Sequence, residues 1–428
     1  MNSLSVTRIM DRLGLPHLDT PGAGSMVIAT WIDAAGRGLF AYFYLLYLTK
    51  DVGFDLKTAG LVLSVVTAMG LAITPVAGSL VDKIGAKQML VASQVICALG
   101  YGGLLFVTES VPVLLLTAGA ITLGECIFWV GYPSLVSQVA REDDRDRWFA
   151  FMGMARMAGI GLGGLIAAGV IALLGTHGYR VLLAANVGTF VIAGTLLFLR
   201  APSIRVATAK AKSGGWMAVI RDKAIMQLAA AHGFGVLAVL IVFQGLPLYV
   251  IDELERPGWL PGILLFVNTV ILATGQAIGL KLVAGWRRTR IYVLSSAVWV
   301  IGAVLFALGL WIPAILLTPY LILTIILASG GEVFHYPLNG SVPMALAPEA
   351  LRGRYLALFS LVWSAAGIIS PSLVSALLSV GGPWLWVAMA TSAAIAALIA
   401  LNAERSIDPD VQRTPRRSRP ATELSYQD

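Results

Sequence analysis

Twelve long apolar runs follow one another along the chain, and they leave it few ways to fold. Taking runs of about 18 residues or more as spans gives 26–48, 59–81, 89–107, 113–139, 149–174, 181–199, 225–250, 258–283, 291–311, 313–345, 355–379 and 384–402. A run of ~20 such residues crosses the hydrocarbon of a bilayer as one helix, whose backbone groups bond each other where no water can. The run over 313–345 is too long for one straight span, so its ends are expected outside the lipid. Charge is scarce, at 12% of 428 residues with 58% hydrophobic. A soluble domain carries about 25% charged residues. The solvent is therefore lipid, and the expected class is an all-α membrane protein with twelve transmembrane helices.

The basic residues sort by side. Alternate connections and both ends of the chain hold 24 of the 30 Lys and Arg, while the opposite connections hold only Lys50, Lys57, Arg180 and Arg256. Arg37 and Arg156 fall inside spans. Basic residues favour cytoplasmic loops during insertion, so both termini are expected in the cytoplasm, as an even number of spans requires. The same sorting explains the net charge of +7 without nucleic acid as a partner. Cys97 and Cys126 both sit in apolar runs, with no disulfide framework and no metal-ligand spacing. The expected organisation is a cytoplasmic tail (1–25), a six-helix half (26–200), a basic Ser/Gly-containing linker (201–222), a second six-helix half (223–402) and a basic cytoplasmic tail (403–428).

A weak internal repeat supports two halves. Gly124-Glu125 is followed by Arg145, Arg147 and Trp148, and Gly331-Glu332 by Arg352, Arg354 and Tyr355 at the same spacing. One copy falls at the fourth span and the other at the tenth. Parallel six-helix repeats are a transporter plan, with substrate bound near mid-membrane between the halves.

The connection after the second span reads GSLVDKIGAK, residues 78–87. It resembles the loop between helices two and three of the major facilitator superfamily, G-x-L-x-D-R/K-x-G-R/K-R/K. Gly78, Leu80, Asp82, Lys83, Gly85 and Lys87 match, and Ala86 departs. The matching place in the second half, GLKLVAGWRRTR (279–290), keeps the bases and lacks the Asp. Glycines at 78 and 85 permit close helix approach and a tight turn. The resemblance implies that Asp82 latches the two halves at a helix N-terminus, where a carboxylate is favoured. Gly78, Asp82, Lys83, Gly85 and Lys87 are then gate elements. Arg145, Arg147, Arg352 and Arg354 resemble the family's gate-loop arginines. In the fifth span, Gly159-Ile160-Gly161-Leu162-Gly163-Gly164 resembles the G-P-x-x-G-G segment of the exporters, with Ile160 in place of Pro. Dense small residues also serve plain helix packing. The exporters' basic residue in the fourth span is missing.

Charges within spans are the sharpest functional pointers, because each costs at least ~2.5 kcal/mol at a helix centre unless paired or hydrated. Asp33 and Arg37 share a face of the first span at i, i+4. Glu125 has Trp129 and Tyr132 on its face, and Arg156 on the next span is within its reach. Glu332 has His335, Tyr336 and Asn339 on its broad face, and His232 and Gln244 lie in the seventh span. The resemblance places helices one, four, seven and ten around a central cavity. A carboxylate withdrawn from water holds a proton more readily, so Asp33, Glu125 and Glu332 are candidates for proton coupling. A static Asp33–Arg37 pair and a structural role for the recurrent Gly-Glu stand as the plain alternatives. Arg37, Trp129, Tyr132, His232, Gln244, His335, Tyr336, Asn339 and Trp363 are candidates for a substrate cavity, although aromatics also pack and anchor at interfaces.

No P-loop, nucleophile elbow or metal-binding His cluster occurs in the sequence, so neither direct ATP drive nor an enzyme is indicated. No cofactor is expected. The reading is a monomeric secondary transporter of a bacterial-type inner membrane, in which a proton or sodium gradient moves a small organic molecule by alternating access. Efflux of a drug-like compound by proton antiport is favoured, with proton-coupled uptake of a sugar, organic acid or other metabolite as the alternative. A transporter-like sensor or membrane enzyme is a third reading.

Overall fold

The computed structural model describes residues 20–140, 145–202, 216–348, 351–407 and 413, excepting the side chains at 82, 145, 146, 150, 277, 280 and 352. Helix dominates, and no strand occurs among the described residues. Each apolar run forms a long helix: α1 Ala23–Phe40, α2 Leu56–Ile84, α3 Ala86–Leu104, α4 Val111–Val139, α5 Arg145–Leu174, α6 Gly178–Arg200, α7 Lys223–Leu248, α8 Leu260–Leu282, α9 Arg288–Leu308, α10 Ala314–His335, α11 Arg352–Leu378 and α12 Gly382–Ala403. Among the described residues, eight helical stretches are long and apolar enough to cross a membrane, one of which, Arg147–Arg200, runs through both α5 and α6. Leu260–Gln276 of α8 is apolar but shorter. The run over 313–345 is not one continuous helix: α10 ends at His335, and a separate helix, Leu338–Leu346, follows Pro337.

The chain forms two compact units. One holds residues 1–212 together with Leu240–Ala273 and Gly367–Leu385. Inside it α1 packs against α5 and α6, α3 against α4 and α6, and α2 against α4. Glycine sets the closest approach. A methyl group at Gly163 would lie 2.1 Å from the Ala35 carbonyl oxygen, and one at Gly38 would lie 2.1 Å from that of Ile160. The glycine-rich segment of α5 therefore brings two backbones together, as small residues do in membranes. Gly163→Val is expected to lower the melting temperature of the detergent-solubilised protein, since forcing methyls into a filled interface costs about 1–3 kcal/mol. Gly169→Val, which meets nothing within 4 Å, should leave it unchanged. Equal melting of both variants would contradict this packing.

The same unit carries a further seam. Ser372 donates its backbone N–H and its hydroxyl to Ser64 Oγ at 3.1 and 2.8 Å. Tyr42 stacks on Phe243 with centroids 5.7 Å apart, and Gln244 Nε2 donates to Ser370 Oγ at 3.0 Å. Lys50 pairs with Asp252 at 2.7 Å.

The second unit holds Ser213–Val239, Thr274–Ala366 and Trp386–Asp428. There α9 packs on α10, and the Ser295 hydroxyl donates to the Gly331 carbonyl at 3.0 Å. Asp222 caps the start of α7, accepting from the backbone N–H groups of Ala224 and Ile225 at 3.0 and 3.2 Å and from the Tyr355 hydroxyl at 2.6 Å.

Candidate functional site

Four opposed charges meet in the interior of the first unit. Asp33 and Arg37 come from α1, Glu125 from α4 and Arg156 from α5. Helical spacing sets Arg37 one turn from Asp33, and its Nε donates to Asp33 Oδ2 at 2.9 Å while Nη2 donates to Oδ1 at 3.2 Å. The remaining Arg37 nitrogen, Nη1, donates to Glu125 Oε1. Arg156 Nη1 reaches Asp33 Oδ2 at 3.3 Å, and Gln94 Nε2 of α3 reaches Oδ1 at 3.0 Å. Each Asp33 oxygen thus accepts two donors. Asp33 is 1% exposed, whereas the Glu125 side chain keeps 27% of its surface accessible.

Aromatic rings complete the setting. The Arg37 guanidinium lies 4.6 Å from the Phe128 centroid, and that of Arg156 lies 4.9 Å from Phe128, 4.8 Å from Trp129 and 5.5 Å from Tyr132. A guanidinium over a desolvated ring gains roughly 0.5–2 kcal/mol, so the rings hold the two cations where water does not. The four formal charges sum to zero, which answers how this many ionised groups are kept among apolar helices. The sequence brought Arg156 near Glu125; in the structure Arg156 bonds Asp33, and Glu125 takes Arg37 instead.

Two residues of this site, Gln94 and Phe128, escaped the sequence reading. Gln94 stands alone in the apolar run of α3 and is 1% exposed. Asn186 of α6 is fully buried against Gly36 of α1. The signal at Gln94 was a polar amide in mid-span, where lipid offers it no hydrogen-bond partner.

In the second unit another set assembles. The rings of His232 and His335 stack with centroids 4.8 Å apart and planes 2° from parallel. Phe359, Trp363, Tyr292 and Trp299 surround them, and Asn339 lies beside His232. Glu332, one turn before His335, is 6% exposed. Tyr336 turns outward at 45% exposure. Gln244 stands apart from this group, bonded to Ser370 in the first unit.

The loop after α2 shows what its residues hold. Gly85 has φ 108°, a conformation in which L side chains are strained, so the turn into α3 demands glycine. Gly78 does not mark a close approach: a methyl there would meet only Val130, at 3.9 Å. Lys87 Nζ donates to the Ala201 carbonyl at 2.7 Å, tying α3 to the C-terminal end of α6, where a cation is favoured. Thr289 and Arg290, in the corresponding place of the second half, hold Glu404 beyond α12 at 3.1 and 2.9 Å. In both halves, then, this loop anchors the end of the sixth helix. Lys83 is exposed, as is Arg147. Arg354 is half-buried. The side chains of Asp82, Arg145 and Arg352 lie outside the described residues.

A helical membrane protein with ion pairs buried in its spans is the class that this fold and site define. The sequence profile of the Major Facilitator Superfamily matches residues 26–298, and the chain belongs to that family of multi-pass membrane transporters. It is 24% identical over 316 residues to a multidrug resistance protein MdtH of Edwardsiella ictaluri, with 72% of each chain covered. To the MdtH protein of Yersinia pestis it is 23% identical over 359 residues, covering 82% of this chain and 83% of that one. Among solved structures it resembles a single-substitution variant of the nucleoside transporter NupG (TM-score 0.75, 15% identity, covering 89% of this chain and 98% of that chain). It also resembles a proton dependent oligopeptide transporter (TM-score 0.69, 16% identity, 91% and 98% covered).

Proposed function

We propose that this transporter exports a small, partly apolar organic molecule in exchange for protons, by alternating access through twelve spans with both termini in the cytoplasm of a bacterial cell. The observation that carries the reading is the neutral cluster of Asp33, Arg37, Glu125 and Arg156. One added positive charge is tolerable there and two are not, since each uncompensated charge at membrane depth costs at least ~2.5 kcal/mol. A proton on Asp33 and a cationic substrate beside the cluster therefore exclude one another. Exclusive occupancy of one site is what exchange requires. Arg37 is the hinge of this competition, because protonating Asp33 removes one of its two carboxylates and leaves it to Glu125. Multidrug resistance relatives at low identity support drug-like cargo.

A second reading draws on the same two arginines. An organic acid entering with a proton would also keep the cluster neutral, and uptake would follow. Cells overexpressing the protein separate the two when loaded with a fluorescent lipophilic cation. Export predicts lower accumulation than in control cells, restored by a protonophore. Accumulation equal to the control, together with proton-dependent uptake of organic acids, would overturn export in favour of the second reading.

A further inference from the structure

Beside Asp33, on the linker side, the first unit encloses a cavity of about 10 Å³. That is close to the smallest space that admits one water, roughly 10–15 Å³. Its polar lining is Thr30, Asp33, Gln94 and Tyr132. Gln94 Oε1 and the Tyr132 hydroxyl are both buried, and neither has a hydrogen-bond partner among the described residues. Gln94 is 1% exposed and its other amide atom is committed to Asp33, so the orphaned oxygen cannot be relieved by flipping the amide. Buried polar groups left without partners cost about 1–3 kcal/mol each, and a water needs two to four such partners to be held. Towards the linker, the cavity is closed by Leu90 of α3, Leu135 of α4 and Leu197 of α6, each no more than 5% exposed.

We propose that this cavity is a one-water site, bonded by Asp33, Gln94 and Tyr132, through which the coupled proton reaches and leaves Asp33, and that the three leucines are its plug. The inference rests on the proton-coupled reading above and adds the route. The water accepts a proton from the linker side and gives one to an Asp33 oxygen, so the carboxylate becomes a carboxylic acid and the water is restored. Release runs the same transfer backwards. The groups facing Asp33 are Arg37 on its own helix, Gln94, Cys97 and Tyr101 on α3, Tyr132 on α4 and Arg156 on α5, with Glu125 joined through Arg37. On α6 the neutral Asn186 lies against Gly36. The longer contacts to Asp33, from Arg37 Nη2 at 3.2 Å and Arg156 Nη1 at 3.3 Å, are those that yield when the proton arrives.

Two substitutions at Leu135 act oppositely on the site without touching the charges. Leu135→Phe fills the space, and Leu135→Ala opens the plug. Both are compared with the unsubstituted protein in liposomes holding a pH-sensitive dye. Substrate counterflow, which needs no net proton movement, serves as the measure of folding and substrate binding. Leu135→Phe is expected to slow proton-driven transport about tenfold, the scale of one lost hydrogen-bonded contact, with counterflow retained. Leu135→Ala is expected to keep counterflow and to leak protons without substrate. Unchanged proton-driven transport in Leu135→Phe, or no leak in Leu135→Ala, would overturn the water site while coupling in the unsubstituted protein stands. Absence of proton-driven transport in the unsubstituted protein would instead remove the reading on which the site rests.

Discussion

Asp33→Asn is expected to abolish substrate-dependent proton movement. Both Asp33 oxygens accept two N–H donors: Arg37 and Gln94 at Oδ1, Arg37 and Arg156 at Oδ2. An asparagine must place its own NH₂ at one of these positions, where it faces donors rather than acceptors. It also leaves two buried guanidinium groups against the single carboxylate of Glu125. The variant thus loses the charge balance and the group that exchanges the proton. Asp33→Glu, which keeps the charge and lengthens the side chain by one methylene, should recover part of the movement. The check is dye-reported proton flux on substrate addition, with both variants compared at equal reconstituted amounts. Full flux in Asp33→Asn would shift coupling to Glu125.

The second large effect is on stability. Arg37→Met removes three hydrogen bonds at once, two to Asp33 and one to Glu125. It leaves two carboxylates against the single cation of Arg156, which bonds only Asp33 of the two. Breaking a buried pair by removing one partner costs about 3–5 kcal/mol, enough to lower the melting temperature of the purified protein well below that of the unsubstituted one. Adding Glu125→Gln restores neutrality, with Asp33 and Arg156 as the remaining pair at 3.3 Å. The double variant should therefore melt higher than Arg37→Met alone while still failing to couple. Equal melting of the single and double variants would mean that charge balance does not govern this cluster.

Much of the fold was legible because lipid imposes a length. Twelve apolar runs became twelve long helices; the length of the tenth pointed to ends outside the lipid, and its break after His335, ahead of Pro337, was not read from it. The α5 glycines were legible as a close-packing surface, since their spacing alone puts small residues on facing turns. The site was legible to the extent that charge in a span needs a partner. Asp33 and Arg37 announced their pairing by i, i+4 spacing, which is local. The choice between Arg37 and Arg156 for Glu125 was not local: it depends on how α1, α4 and α5 rotate against each other, and side-chain packing sets that rotation. Gly78 misled for a related reason. A glycine is permitted at a close contact but does not require one, and only its neighbours decide. Gln94 was overlooked because a neutral amide in a span costs less than a charge and draws less notice, although it supplies one of the four bonds to Asp33.

The central claim is that the four-charge cluster exchanges one positive charge of substrate for a proton. It is tested most directly with the purified protein in liposomes enclosing a pH-sensitive dye, under an imposed proton gradient, as a lipophilic cation, an antibiotic, an organic acid or a sugar is added. Exchange predicts that a drug-like cation and protons move in opposite directions, and that the movement is lost in Asp33→Asn. Protons moving in the same direction as an organic acid or a sugar, with no response to drug-like compounds, would contradict it.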